Sequence, residues 1–189
     1  IAIARAKGIT KAKIRKIADK CEKFIHGNPS GIDVNQVLSD TPLLFSKEHG
    51  AKKLPFSLDS YLLIIDTGVV GITKHTLEHV KDNLKTYKPY IDELGSITKK
   101  VIKPLKEKNI DLIGEYMYKA HSLLQKIGVS HEKNDEVVEL CKNNNAKGAK
   151  LTGGGAGGCC ICLCDTKENA LKIQDKLKEK GYLSWMVTV

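Results

Sequence analysis

No apolar run in this 189-residue chain approaches the ~20 residues that a membrane-spanning helix needs. The opening residues do not read as a secretory signal either, because residues 1–20 are basic and helix-like without a long apolar stretch. Aromatic residues make up only 5% of the chain, too few for the stacking platforms of a single-strand nucleic-acid binder. Six cysteines are present, at 21, 141, 159, 160, 162 and 164, but no C-x-x-C pair and no histidine at zinc-finger spacing. A structural metal site is therefore not expected. There is no internal repeat and no low-complexity segment. What is present, 41% apolar and 28% charged residues, is the composition of an ordinary globular protein.

The net charge of +9 is unevenly spread. Residues 1–20 hold Arg5, Lys7, Lys11, Lys13, Arg15, Lys16 and Lys20 against the single acid Asp19, so +6 of it lies there. Such a segment reads as a solvated helix face, and secondarily as attraction for an anionic substrate. A nucleic-acid partner would predict affinity falling steeply with salt, and only this first helix speaks for one. The alternation of Cys160, Cys162 and Cys164 with Ile161 and Leu163 is strand periodicity. These thiols are expected to be buried and free, in a reducing, cytoplasmic setting.

Ile14, Ile17, Cys21 and Phe24 or Ile25 recur at helical spacing and predict an amphipathic helix over about residues 9–25. The turn formers His26-Gly27-Asn28-Pro29-Ser30-Gly31 break it, and a short helix follows through Val34, Val37 and Leu38. Strands are expected at Leu43–Phe45, Lys53–Ser57 and Tyr61–Asp66. About four helices fill Thr73–Asn145, with punctuation near Lys88-Pro89, Asn109 and Gly128. Strand character returns at Ala149–Thr152 and Cys159–Cys164, followed by a helix over Lys167–Lys180 and a strand over Leu183–Val189. The expected class is α+β, with strands flanking a helical middle.

Two segments could carry chemistry. The first is Glu22 with the loop 26–33, where two glycines allow close backbone approach and Asp33 falls in the first helical turn. A carboxylate there can orient a hydroxyl nucleophile or take its proton. Ser30-x-x-Asp33 is equally a capping box, and spacing alone favours that cap. The second is Lys150-Leu-Thr-Gly-Gly-Gly-Ala-Gly-Gly-Cys159, with five glycines between strand-like segments. Bare N–H groups on such a loop can surround phosphate oxygens. The segment is neither G-x-x-x-x-G-K-[ST] nor a strand-to-helix G-x-G-x-x-G, so P-loop and Rossmann readings fail. Thr67, Thr73 and Lys74 could line a polar site, although a helix cap at Thr73 explains most of that. His121 reads as packed or solvated, and Trp185 as a core or edge aromatic.

Together these segments resemble the GHMP kinase family, and within it the branch that phosphorylates mevalonate. Glu22-Lys-Phe-Ile-His-Gly-Asn-Pro-Ser-Gly-Ile-Asp33 is similar to the family's second motif and Lys150–Cys159 to its third. Leu124-Gln-Lys-Ile-Gly-Val-Ser-His131, with Asp135 downstream, resembles a leucine-glycine-valine-serine segment of that branch. Asp66-Thr67 through Thr73-Lys74 matches a substrate-side strand and helix start. The resemblance runs over essentially the whole chain. It implies a ferredoxin-like antiparallel sheet with a helical bundle over 46–189, preceded by the tail of an N-terminal domain over 1–45.

It also implies ATP and Mg2+ as cofactors, mevalonate as substrate, and a homodimer. Asp33 would be the catalytic residue acting on the C5 hydroxyl, and Glu22 a magnesium ligand. His26, Gly27, Asn28, Ser30, Thr73 and Gly154 would lie at the substrate, and Gly153, Gly155, Ala156 and Gly157 at the nucleotide phosphates. Gly154 stands where the family usually has alanine, and Ala156 where it usually has glycine. The family's first motif, which cradles ATP, is not in these residues, nor are its N-terminal lysine and substrate histidine. Beginning at an isoleucine, the chain reads as a fragment with little kinase activity of its own, from which a peroxisomal address could have been lost. The rival readings are another GHMP kinase, such as one acting on phosphomevalonate, or a non-catalytic module that kept the fold.

Overall fold

The computed structural model describes residues 1–26, 29–71 and 73–189, with the side chains of Ile25, His26, Thr73 and Lys74 outside the description. The chain divides into two compact units, Ile1–Phe56 and Ser57–Val189. The sequence-based boundary at residue 45 would separate the strands of a hairpin that lies wholly in the first unit. None of the described helices is long and apolar enough to cross a membrane.

In the first unit, α1 (Ala2–Ala6), α2 (Lys11–His26) and α3 (Ile32–Val37) gather around Ile14, Val34 and Leu38. The apolar stripe expected on α2 is only partly used: Ile14 is buried, whereas Ile17 is 46% and Phe24 92% exposed. Strands β1 (Leu43–Ser46) and β2 (Gly50–Lys53) form an antiparallel hairpin pairing Ser46 with Gly50 and Leu43 with Lys53. The strand expected at Lys53–Ser57 therefore lies earlier. The turn fixes that register, because the His49 N–H donates to Ser46 Oγ at 2.9 Å and Gly50 takes φ +69°. Pro55, which has no N–H to give a ladder, stands just beyond β2.

The second unit is built on a four-stranded antiparallel sheet in the order β4-β5-β3-β6. Its strands are β3 (Tyr61–Asp66), β4 (Gly148–Leu151), β5 (Cys159–Cys164) and β6 (Leu183–Thr188). Register Leu63↔Cys162 and Ile65↔Cys160 places Leu63, Ile65, Cys160, Cys162 and Leu151 on one face. That face is the core, closed by Val137 and Cys141 from α8 (Glu132–Asn143) and by Ala170, Ile173 and Leu177 from α9 (Lys167–Glu179). Cys160, Cys162 and Cys164 are buried, as the periodicity implied, and so is Cys141, whereas Cys21 is exposed.

Among the described residues five helices, against the four or so expected, run between β3 and β4: α4 (Thr73–Asp82), α5 (Leu84–Lys100), α6 (Ile102–Glu107), α7 (Ile110–Lys126) and α8. Lys88-Pro89 does not interrupt them, since Pro89 sits inside α5. There the ring removes a single intrahelical bond, the one the Lys85 carbonyl would have accepted. Asn109 and Gly128 do punctuate: Asn109 Oδ1 caps α7 by accepting from the Leu112 N–H, and Gly128 takes φ +76°.

Helix α7 lies along the open edge of β4. Gly114 and Gly148 let the backbones touch, since a Cβ on Gly114 would fall 1.9 Å from the Lys147 carbonyl oxygen. Tyr118 Oη donates to the Ala146 carbonyl at 3.0 Å. The Leu151 N–H donates to His121 Nδ1 at 3.3 Å. An edge strand's spare polar groups are thereby occupied.

Candidate functional site

Within the first unit, Glu22 on α2 and Asp33 on α3 line one groove of about 380 Å³, together with Ile14, Ile17, Cys21, Val34 and Val37. The capping box suggested by Ser30 and Asp33 does not form. The N-cap of α3 is Gly31, in the left-handed conformation at φ +83°, and no side chain caps it. Ser30 Oγ instead accepts from the Ile32 N–H at 3.3 Å, and Asn35 Nδ2 donates to the Gly31 carbonyl at 2.8 Å. Asp33 is left exposed on the groove, not spent on the helix terminus. Of the remaining residues expected here, Gly27, Asn28 and the His26 side chain lie outside the described residues.

Magnesium is a hard cation that takes one or two protein carboxylates and completes its shell with water and phosphate oxygens. Two carboxylates on one groove fit that donor set. Among the described residues, no group of three or more His, Cys, Asp or Glu side chains is placed to hold a metal unaided.

In the second unit the glycine loop joins β4 to β5. Thr152, Gly153, Gly154, Gly155, Gly157, Gly158 and Cys159 line a cavity of about 340 Å³ with Gly71. The loop has a tied side and a bare side. The Ala156 N–H donates to the Val129 carbonyl at 2.8 Å, Gly157 N–H to Asn134 Oδ1 at 3.0 Å, and Gly158 N–H to the Val69 carbonyl at 2.8 Å. Thr67 Oγ1 donates to the Gly158 carbonyl at 2.6 Å. Among the described residues, the N–H groups of Gly153 and Gly154 meet no acceptor and both residues are exposed, whereas Gly155 is buried and closes a turn begun at Thr152. Two successive free donors beside a cavity form an anion-binding concavity.

The glycines differ in what they are for. A Cβ on Gly155 would sit 2.1 Å from the Val129 carbonyl oxygen, and one on Gly157 2.7 Å from Val69. Those two are glycine because backbone packs behind them. Gly153 has open space around it but a φ of +80°. Ala156 also takes a positive φ, +56°, a left-handed conformation that costs an L-residue about 1 kcal/mol.

Beside the loop, His121 is 4% exposed and its Nε2 lies 3.1 Å from Asp135 Oδ1, close but off the line of a good hydrogen bond. Ser130 Oγ donates to the same carboxylate oxygen at 2.5 Å. Burial lowers the His121 pKa below its ordinary 6.5, against the pull of Asp135 and with help from Lys150. The unfolded chain takes up that proton near 6.5 while the folded state refuses it until lower pH, so acid favours unfolding. On the acid side, thermal denaturation is expected to show a Tm that falls as pH drops through 6.5. His121→Gln should make that acid-side slope shallower, and an unchanged slope would remove His121 as its source. Burial likewise lowers the pKa of Lys150, whose Nζ donates to the Leu151 carbonyl at 2.5 Å.

Of the residues expected at the phosphates, Gly153 has a free donor, whereas Gly155 closes a turn and the N–H groups of Ala156 and Gly157 are engaged behind the loop; Gly154, expected at the substrate, also has a free donor. It left Gly71, Val129 and Asn134 without roles. The Thr73 side chain lies outside the described residues. Thr67, read as lining a polar site, is 5% exposed and serves the loop from behind. No spacing rule would have found Asn134, because its partner Gly157 is 23 residues away.

Residues 101–183 match the family described as GHMP kinases C terminal. With the antiparallel sheet and the clamped glycine loop, the second unit has the fold of a GHMP kinase C-terminal domain. The chain is similar to mevalonate kinases. The mevalonate kinase of Pyrococcus horikoshii is 29% identical over 187 residues, 93% of this chain and 55% of that protein. The L. major mevalonate kinase, solved in complex with R-mevalonate, superposes with a TM-score of 0.85 at 25% identity, over 95% of this chain and 59% of that one. A Streptococcus pneumoniae phosphomevalonate kinase shares the fold, with a TM-score of 0.78 at 14% identity over 100% of this chain and 65% of that one. The chain spans about half the length of the curated relatives it matches.

Proposed function

We propose that the protein carrying this chain is an ATP-dependent kinase that phosphorylates mevalonate to 5-phosphomevalonate. The observation that carries the reading is the pair of free N–H groups at Gly153 and Gly154, on a loop tied from behind in a chain whose relatives are mevalonate kinases. Phosphoryl transfer from ATP asks little covalent chemistry of a protein; positioning and charge neutralisation do most of the work. The loop N–H groups hold phosphate oxygens. Asp33 takes or orients the proton of the attacking C5 hydroxyl. Glu22 is the residue that would hold magnesium, whose chemistry is to neutralise phosphate charge. Gly154 and Ser30 are the described candidates for contact with mevalonate, and the free thiols suit a cytoplasmic setting.

The test is mevalonate-dependent ADP release by the full-length gene product. Turnover with mevalonate and none with phosphomevalonate is the expected result. The reverse preference would make it a phosphomevalonate kinase, whose fold it also shares. Nucleotide binding without turnover on either would leave another small-molecule kinase of the family, and no nucleotide binding would leave a non-catalytic module.

A further inference from the structure

We propose that Asn134 is a positioning residue for nucleotide binding, a role that rests on the kinase reading above. Its side chain is fully buried, at 0% exposure, in the first turn of α8. Oδ1 accepts from the His131 N–H at 3.1 Å and from the Gly157 N–H at 3.0 Å. Nδ2 donates to the Gly157 carbonyl at 3.0 Å and to Cys160 Sγ at 3.4 Å. All four hydrogen-bonding positions of the carboxamide are used. The orientation is unambiguous, because reversing the amide would aim its NH2 at two N–H donors.

A helix cap alone needs only the bond to His131. The two bonds to Gly157 go further and lock one peptide group in both directions, as a strand partner would. With the Val129 carbonyl on Ala156 and the Val69 carbonyl on Gly158, they hold three consecutive N–H groups on the rear of the loop. Further toward the N-terminus, the N–H groups of Gly153 and Gly154 stay free for phosphate oxygens. Five glycines left to themselves would sample many conformations, and binding would have to select one. Asn134 removes that freedom before the nucleotide arrives. The side chain touches no reacting atom, so its effect is expected on nucleotide affinity and not on the chemical step.

The experiment measures ADP affinity by calorimetry with Mg2+, and KM for ATP and for mevalonate, in the full-length gene product. Wild type is compared with Asn134→Leu, Asn134→Asp and the remote core truncation Ile173→Ala. Aspartate keeps the acceptor for His131 and Gly157 but loses the donor and faces the Gly157 carbonyl with a charge. If leucine does not fold, aspartate carries the test. Expected are a weakening of ADP and a rise in the KM for ATP of about 10- to 30-fold, the size of one or two lost net hydrogen bonds. KM for mevalonate should stay within twofold, and Ile173→Ala should lose stability with its ADP affinity intact. ADP affinity within twofold of wild type in a folded Asn134 variant would reduce the residue to a helix cap and overturn the proposal. Failure of the wild type itself to bind ADP would overturn the kinase reading and this inference with it. A folded wild type that binds ADP tightly, beside a variant that does not, supports both.

Discussion

Asp33→Asn in the full-length gene product is expected to lower mevalonate-dependent kcat by about 10²- to 10⁴-fold, the usual worth of a positioned proton acceptor. KM values should change little. The asparagine is nearly isosteric, and the carboxylate makes no cap to α3 whose loss could confuse the result. Gly31 and Ser30 shape that turn by themselves. The readout is ADP release at saturating ATP and mevalonate, with a melting curve to show an intact fold. Residual activity within tenfold of wild type would remove Asp33 from the chemistry and leave it an exposed groove residue.

The second large effect concerns the fold. Gly114→Ala places a methyl group 1.9 Å from the Lys147 carbonyl oxygen, deep inside van der Waals contact. The obstacle is backbone, not the end of a flexible side chain, so relief requires α7 to lift from β4. Lifting α7 pulls His121 from the Leu151 N–H and Tyr118 from the Ala146 carbonyl, uncovering an edge strand next to the glycine loop. The expected cost is about 3–5 kcal/mol, at the exceptional end for one substitution. That corresponds to a Tm about 10–15 °C lower for a unit of this size. Gly95→Ala is the matched control: Gly95 lies in α5 with open space around its Cβ, so alanine there should be neutral or mildly stabilising. Equal Tm shifts in the two variants would refute the close-approach argument.

Much of the second unit was legible from local pattern. Strands Tyr61–Asp66 and Cys159–Cys164 match their predicted bounds because alternation and β-branched or thiol-bearing residues agree with burial of one face. The helix over Lys167–Glu179 also lay in plain view, stopped by Gly181 at φ +84°. Pro89 misled because proline is read as punctuation, whereas in α5 the flanking helical segments outweigh the loss of one bond. The glycine loop announced itself by composition, and the family resemblance gave it a purpose. Its division into a tied half and a free half was hidden, since it depends on carbonyls from Val69 and Val129 and on the Asn134 amide, all remote in sequence. On the first unit the failure was local. The Ser30-x-x-Asp33 spacing is compatible with a capping box, yet a left-handed Gly31 takes the cap position and turns the serine to a neighbouring N–H.

The cysteine ladder along β5 gives the molecule an internal record of its own opening. Only a thiolate attacks an electrophile, and burial pushes the Cys160 thiol up to about 11. Cys162, hydrogen-bonded by the thiols of Cys141 and Cys164 and buried with them, is raised as well. Cys141, Cys160, Cys162 and Cys164 are all buried and so unreachable while sheet and helix stay together, whereas Cys21 is exposed. Alkylation of the four therefore keeps time with the separation of α8 from the sheet and with nothing smaller.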